Sequence, residues 1–520
     1  LHVTENEGQS WKLISPDLTR NDPETLKSSG GPITQDNTGV EYYGTIFAAT
    51  ESALETGLIY TGSDDGLVHV SKNNGEKWEN ITPKKMPEWM MINCIEVSPF
   101  DKGSAYIVGT KYKSGDYKPY IYKTENYGKS WDLIVDGIEE ESFTRALRAD
   151  PKRKGLLYAG TEKGMYISFD DGKNWESFQQ NLPIVPITDL AIKDDNLIVA
   201  TQGRSLWIID DLTPLHQLNS STLKKEVVLY KPKDAYNLSG GNGRTSRTAG
   251  TNHAGGVAVN YFIKSANKKD TISLSFYDLN DNLIKKFSTK PNKENKEGTL
   301  KVEDGNNIFN WNMMYDGAES VEGMILWWAS LNGPMALPGT YKVELAVNDS
   351  KQTQNFKIIN NPSSEVSESE MKAQFDFIND INSKMTEIHK ALKNVKKVRS
   401  QVGLLKKSIT DKTKHKELLD FADKLVKDMT KIEETLYQTK SKSGQDPLNY
   451  PIRLNNKLAH LNSLTRIGNY APTQQAIDFK NEITKEIDAE LVKLNALFTN
   501  GVKELNQKVK DSNIDLIQLD

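Results

Sequence analysis

Over the first 210 or so residues, hydrophobic positions fall into short runs that end in small residues. Residues 58–62, 105–109 and 156–160 are such runs, and 67–70, 120–123 and 164–167 follow them as second runs of similar length. Runs this short, bounded by polar turns, predict strands rather than helices. Further on, residues 272–278 alternate apolar and polar, and Asn280, Asp281 and Asn282 mark a turn before Leu283. Residues 257–263, 307–312 and 338–345 read as more strands. From Glu365 the period changes to about 3.5 residues. Ile378, Ile381, Met385, Ile388, Leu392, Val395 and Val402 form one stripe; Leu418, Ala422, Leu425, Met429, Ile432 and Leu436 form another. Leu454, Leu458 and Leu461 give a shorter helix. Phe479, Ile483, Ile487, Leu491, Leu494, Phe498 and Val502 give a fourth, opened by Pro472.

The strand region carries an internal repeat. Its copies are Thr4-Glu5-Asn6-Glu7-Gly8-Gln9-Ser10-Trp11, Ser71-Lys72-Asn73-Asn74-Gly75-Glu76-Lys77-Trp78, Thr124-Glu125-Asn126-Tyr127-Gly128-Lys129-Ser130-Trp131 and Ser168-Phe169-Asp170-Asp171-Gly172-Lys173-Asn174-Trp175. The shared pattern is [ST]-x-[DN]-x-G-x-x-W. Asn6, Asn73, Asn126 and Asp170 accept from backbone amides ahead of them, and the glycine supplies a positive φ for the turn. Trp11, Trp78, Trp131 and Trp175 are expected to start the next strand and to be buried in their own blade. Short strands at this period suit a β-propeller, and the four polar side chains are read as structural.

This motif is the Asp box, and residues 1–222 resemble Asp-box (bacterial neuraminidase repeat) propellers. That superfamily includes sialidases, xyloglucan hydrolases, a photosystem assembly factor and the ten-bladed domain of sortilin. In particular the chain resembles exported bacterial proteins described as sortilin-like or as glycosyl hydrolases. The resemblance rests on Ser15-Pro16-Asp17-Leu18-Thr19, Gly30-Gly31-Pro32-Ile33-Thr34, Glu41-Tyr42-Tyr43-Gly44-Thr45-Ile46, Gly62-Ser63-Asp64-Asp65-Gly66-Leu67-Val68 and Ala200-Thr201-Gln202-Gly203-Arg204-Ser205. The usual form of the last run has His at the place of Gln202. The resemblance implies export from a bacterium, a signal peptide outside this chain, and a further half propeller before Leu1 as a partner of this half. The expected architecture is multidomain: a partial propeller over 1–222, an Ig-like β-sandwich over 223–362 and an antiparallel helical bundle over 363–520. The bundle is expected to fold alone, because each helix has an apolar stripe its neighbours can cover.

Composition removes several classes of function. Lys+Arg 66 against Asp+Glu 70 gives a net charge of −4, which offers no global drive towards nucleic acid. One cysteine, Cys94, excludes an internal disulfide framework and a CxxC zinc site, and the seven histidines form no HExxH pair. No metal or cofactor is expected, and no apolar run is long enough for a membrane span. Between Lys384 and Lys416 eleven basic residues face two acids, a local +9, read mainly as a solvated face. Trp311 reads as core. Trp327 and Trp328, taken as neighbours on a strand, point to opposite sides, so one of them packs on a neighbour or serves as a ligand platform.

Candidate chemistry lies in loops outside the boxes: Glu41, Tyr42, Asp64, Asp65 and Arg204, with Arg145 and Asp210 as further polar groups. A sialidase needs three arginines on one carboxylate, and no such set is legible. A glycoside hydrolase needs two facing carboxylates, for which Glu41 with Asp64 or Asp65 would serve. The reading preferred from sequence is a non-catalytic binding and scaffold protein for a peptide, protein or glycan partner. A secreted glycoside hydrolase is the alternative.

Overall fold

A computed structural model of the chain describes residues 1–36, 38, 43–238, 255–292 and 296–514. Two compact units divide it, Leu1–Leu218 and Asn219–Asp520.

In the first unit, β1 (His2–Val3) and β2 (Lys12–Leu13) pair around the first box, and β3 (Ser29–Gly30) pairs with β4 (Gln35–Asp36). Three four-stranded antiparallel sheets follow. They are β5 (Ile46–Glu51), β6 (Ile59–Ser63), β7 (Val68–Ser71) and β8 (Trp78–Asn80); then β9 (Met91–Val97), β10 (Ala105–Lys111), β11 (Asp116–Thr124) and β12 (Asp132–Leu133); then β13 (Thr144–Ala149), β14 (Leu157–Thr161), β15 (Gly164–Ser168) and β16 (Glu176–Ser177). A fourth sheet has three strands, β17 (Ile187–Lys193), β18 (Asn196–Thr201) and β19 (Leu206–Ile209), and α1 (Thr213–Gln217) ends the unit. Successive innermost strands β5, β9, β13 and β17 are neighbours, as blades of a propeller require. The middle strands β10, β14 and β15 bury both faces. Ala105 and Ile107 of β10 enter the core shared with the first sheet, while Tyr106 and Val108 enter the core shared with the third. This explains why the strands read as continuous apolar runs rather than as an alternation.

The four boxes share one geometry. Oδ1 of Asn6, Asn73, Asn126 and Asp170 accepts from the amides of Ser10, Lys77, Ser130 and Asn174, each at 2.9 Å. The leading Ser or Thr hydroxyl accepts from the box glycine amide at 2.8–2.9 Å. Both the glycine and the residue before it have positive φ, for example Asn74 at 56° and Gly75 at 88°.

The tryptophans correct the sequence expectation. Only Trp175 is buried, at 4% exposure; Trp78 and Trp131 are half-buried and Trp11 is 61% exposed. The indoles also clasp the preceding repeat, while Trp78 Nε1 keeps a second bond to Gly75 O of its own box at 3.0 Å. Trp78 Nε1 donates to Ile14 O at 2.9 Å, Trp131 to Ile81 O at 2.7 Å and Trp175 to Ile134 O at 2.9 Å. Each acceptor lies three residues after the previous box tryptophan. A Cβ on Gly75, Gly128 or Gly172 would collide with the same isoleucine, so the box glycine is also required by this contact.

The second unit begins with two sheets around one core. One orders β20 (Val227–Leu229), β22 (Val257–Ile263) and β26 (Gly305–Trp311). The other orders β21 (Ala235–Tyr236), β28 (Ser350–Ile359), β27 (Gly339–Val347), β23 (Ile272–Tyr277), β24 (Leu283–Ser288) and β25 (Gly298–Thr299). Trp311 is fully buried between them, stacked on Phe276 at 4.5 Å. Most of the Gly-rich stretch 237–256 lies outside the described residues. Helices α2 (Glu368–Ser408), α3 (Lys416–Leu436), α4 (Leu454–Thr465), α5 (Gln474–Ala496) and α6 (Val502–Asp511) bury their stripes in a single further core. Ser367 opens α2 with a reciprocal cap to Glu370.

That helical core is not made by helices alone. Between β26 and β27, residues 312–338 leave the sheets as a pinched loop. Ala336 N donates to Met313 O at 2.7 Å, Tyr315 N to Pro334 O at 3.0 Å and Ala318 N to Leu331 O at 2.8 Å. Beyond this neck the loop lays Ala318, Met324, Leu326, Ala329 and Leu331 on the helices. Trp327 and Trp328 therefore sit in a loop rather than a strand, and Trp328, at φ 50°, is 75% exposed. Five cations of the basic run pair with acids of other elements: Lys384 meets Asp488, Lys390 and Lys393 meet Glu319, Arg399 meets Glu433 and Lys406 meets Asp423.

Candidate functional site

In three of the blades the turn between the second and third strands folds back on the residue that precedes the innermost strand. Asp64 N donates to Thr45 O at 3.0 Å, Glu162 N to Phe143 O at 3.0 Å and Gln202 N to Pro186 O at 2.9 Å. This end lies opposite the boxes. The pairing of every innermost strand skips one residue there, which leaves Phe47, Asn93, Arg145 and Thr188 as bulges. Bulges re-aim side chains and gather near functional sites. Neighbouring blades touch at this end. A Cβ on Gly66, at φ 90°, would lie 2.9 Å from Met90 N of the next blade.

Asp64 and Asp65 stand in the first of these turns and serve different loops. Asp64 Oδ1 accepts from Gly44 N at 3.0 Å and Thr45 N at 2.7 Å. Asp65 is buried; its Oδ2 accepts from Arg20 N at 2.7 Å and its Oδ1 from the Ser63 hydroxyl, while its carbonyl accepts from Arg20 Nε at 2.8 Å. Both carboxylates are spent on folding the loops. Their product is a placed arginine: the Arg20 guanidinium lies 4.6 Å from the centre of the Trp89 ring, and Tyr43 stacks on Trp89 at 6.0 Å. Burial, with Asp64 and Asp65 nearby, pushes the Tyr43 phenol above its ordinary range.

A second arginine–aromatic stack forms two blades on. Arg145, the bulge of β13, pairs with Glu162 at 2.6 Å and lies 5.0 Å from the Phe143 ring and 5.6 Å from Tyr112. Tyr112 stacks on Phe143 at 4.7 Å, and the half-exposed Tyr117 leans on the same ring. Sequence inspection named Arg145 but missed Arg20, Trp89, Tyr112 and Tyr117. Tyr112 and Tyr117, at the β10–β11 turn, were a signal within reach, but nothing in the sequence joins Arg20 to Trp89.

Further along the innermost strands lies a charged row. Arg148 of β13 reaches Asp189 of β17 at 2.9 Å and Glu96 of β9 at 3.8 Å, and donates to Cys94 Sγ at 3.1 Å. Burial holds the Glu96 carboxyl up at about 7, against the amide of Ala149 and Arg148, which pull it down. The folded state thus holds this proton more tightly than the unfolded chain. The associated stability is full below about 4.5 and is lost as pH rises through about 7. Thermal melts of the first unit should rise as pH falls from 8 to 5. Glu96→Gln should flatten that slope; an unchanged slope would assign it to other groups.

Arg204 stands in the corresponding turn of the fourth sheet, between β18 and β19, whereas Asp210 follows β19. Arg204 is exposed and donates to the carbonyl of Gly203 at 3.0 Å, and Asp210 is exposed. Glu41 and Tyr42 lie outside the described residues. Among the described residues no group of three His, Cys, Asp or Glu side chains is placed to hold a metal, and no helix is long and apolar enough to cross a membrane.

Residues 66–226 match the family model described as Sortilin-Vps10 (sortilin, neurotensin receptor 3). An oligoxyloglucan-reducing end-specific xyloglucanase of Emericella nidulans is 24% identical over 106 residues, which span 20% of this chain and 13% of that protein. Among solved structures, YCF48 bound to D1 peptide is 13% identical with a TM-score of 0.26, covering 60% of this chain and 82% of that one. A GH74 xyloglucanase from Xanthomonas campestris is 13% identical with a TM-score of 0.27, covering 60% and 45%. Together with the four boxes and the consecutive four-stranded sheets, the family match makes the first unit of this chain a sortilin-like Asp-box propeller segment.

Proposed function

We propose that this chain is a non-catalytic binding and scaffold protein, exported from a bacterium, whose propeller recognises a peptide or protein partner at the end opposite the boxes. The observation that carries the reading is the pair of arginine–aromatic stacks at that end, Arg20 with Trp89 and Tyr43, and Arg145 with Phe143 and Tyr112. Stacked guanidinium and aromatic faces offer rigid contact area at small entropic cost. The nearby Asp64 and Asp65 hold the loops of this end by accepting from Gly44, Thr45, Arg20 and Ser63. In this reading the second unit is an Ig-like sandwich joined to a helical bundle, and it supplies the scaffold part of the function. A peptide and glycan binding screen on the whole chain tests the proposal. With a peptide hit, Trp89→Ala and Tyr117→Ala should each weaken binding about 10-fold or more. Hits confined to glycans, or binding untouched by both variants, would sink it.

A second reading is a glycoside hydrolase, and it rests on Glu96 rather than on Asp64 or Asp65. A carboxyl held near 7 beside a second carboxylate, Asp189, suits general acid catalysis. Cleavage of a polysaccharide that disappears in Glu96→Gln would replace the binding reading with this one.

A further inference from the structure

The loop 312–338 is held by side chains that recognise its backbone. From α4, Asn456 accepts from Trp327 N at 2.6 Å and donates to Trp327 O at 2.9 Å, and Asn462 donates to Asn332 O at 3.1 Å. His460 Nδ1 lies 2.6 Å from Trp328 O, and Arg466 donates to Gly333 O. From α2, Asn382 donates to Asn332 O at 2.8 Å, the Thr386 hydroxyl accepts from Glu319 N at 3.1 Å, and His389 Nδ1 bonds Glu319 O. His389 is the odd member. It is fully buried, and its other ring nitrogen, Nε2, has no hydrogen-bond partner among the described residues.

We propose that residues 319–330 form an acid-released strap, kept on the helices at neutral pH by uncharged His389 and let go when that ring is protonated. Nδ1–H must point at the Glu319 carbonyl, so the incoming proton can only bind Nε2. There it meets no acceptor, and Met385, Ile388 and Leu392 of the same helix supply an apolar setting. A buried charge without a hydrogen-bonding partner is relieved most cheaply by letting the strap leave and water enter. The neck would stay in place, because Met313 and Ala336 are fully buried in the sheet core.

The surrounding charges bear on the sign. Glu319 of the strap favours the protonated ring and Lys393 of α2 opposes it, while Lys390 is bound to Glu319 at 3.4 Å. The strap itself meets Tyr437, the residue after α3, whose hydroxyl accepts from Ile325 N at 3.2 Å, and His460 of α4 at Trp328 O. On the α5 side the charged groups are the Lys384–Asp488 pair. Burial dominates and holds His389 below the ordinary histidine range. The hold is therefore complete above about 6.5 and is lost as pH falls below it.

Hydrogen exchange on the full chain, corrected for intrinsic rates, tests this. Between about pH 7.5 and 5, protection of residues 319–330 should drop ~10-fold or more, while β22, β23 and β27 keep theirs. His389→Gln keeps a donor for Glu319 O and cannot be charged, so its strap should stay protected at the lower pH. Equal loss in His389→Gln, or a wild-type strap still protected at the lower pH, would overturn the proposal. If the variant strap is already open at neutral pH, imidazole NMR of the wild type decides. A His389 transition coinciding with strap exchange supports release, and one well separated from it refutes release.

Discussion

Trp175→Ala should lower the stability of the first unit by about 3–5 kcal/mol, whereas Trp11→Ala should change it by less than about 0.5 kcal/mol. The two residues hold the same position in the repeat, so the difference comes from what lies under the ring. Trp175 is 4% exposed, packs in the core shared by the second and third sheets, and donates to Ile134 O at 2.9 Å. Its loss opens a cavity between two blades and orphans a carbonyl next to the Asp136 backbone bond, Trp175 N to Asp136 O at 2.8 Å. Trp11 is 61% exposed, so little packing is lost with its ring. Trp78 and Trp131, half-buried with bonds to Ile14 and Ile81, should fall between the two. Urea unfolding of the four variants checks the order. Equal losses at Trp11 and Trp175 would mean that each ring stabilises its own turn and that the clasp is incidental.

The clasp was within reach of the sequence. An apolar residue recurs three places after every box tryptophan, as Ile14, Ile81, Ile134 and Phe178. What the spacing does not say is that the carbonyl of that residue faces the following repeat, because one turn cannot show how two sheets stack. The box turns themselves were legible, since Asn, Gly and Ser act within eight residues. The arginine stacks were not. Arg20 and Trp89 are far apart in the chain and meet only because Asp65 ties one loop to another. The same holds for the basic run: the acids that pair with five of its cations, Asp488, Glu319, Glu433 and Asp423, arrive from other elements and cannot be seen in the run itself. Glu41, the proposed partner of Asp64 or Asp65, lies outside the described residues, and Asp65 accepts from Arg20 N and from the Ser63 hydroxyl.

The helical region shows the strongest departure from pattern reading, and Asn462→Ala should expose it. The pattern offers Leu454, Leu458 and Leu461 as the stripe of a short helix, with Asn455, Asn456 and Asn462 as its polar side. In the fold those three asparagines are as buried as the leucines. Asn462 donates to Asn332 O at 3.1 Å and to Asn382 Oδ1 at 2.9 Å, and accepts from Arg466 Nε at 2.7 Å. Alanine there leaves Asn382 Oδ1 and the Arg466 guanidinium without those partners in a dry setting, while Asn332 O keeps Asn382 as a donor at 2.8 Å. A loss of about 2–4 kcal/mol is expected. Asn495→Ala, at an exposed position on α5, should stay within about 0.5 kcal/mol. Because Asn462 joins α2, α4 and the loop that rises from the sheets, the destabilisation should appear together in the helices and in β26 and β27 by hydrogen exchange. By the same logic, a fragment of residues 363–520, which lacks Met324, Leu326 and Leu331 to fill its stripe, should melt less cooperatively than residues 219–520. If instead Asn462→Ala loosens the helices and leaves β26 and β27 untouched, the helices and the sheets are separate folding units after all, and the loop is a passenger between them.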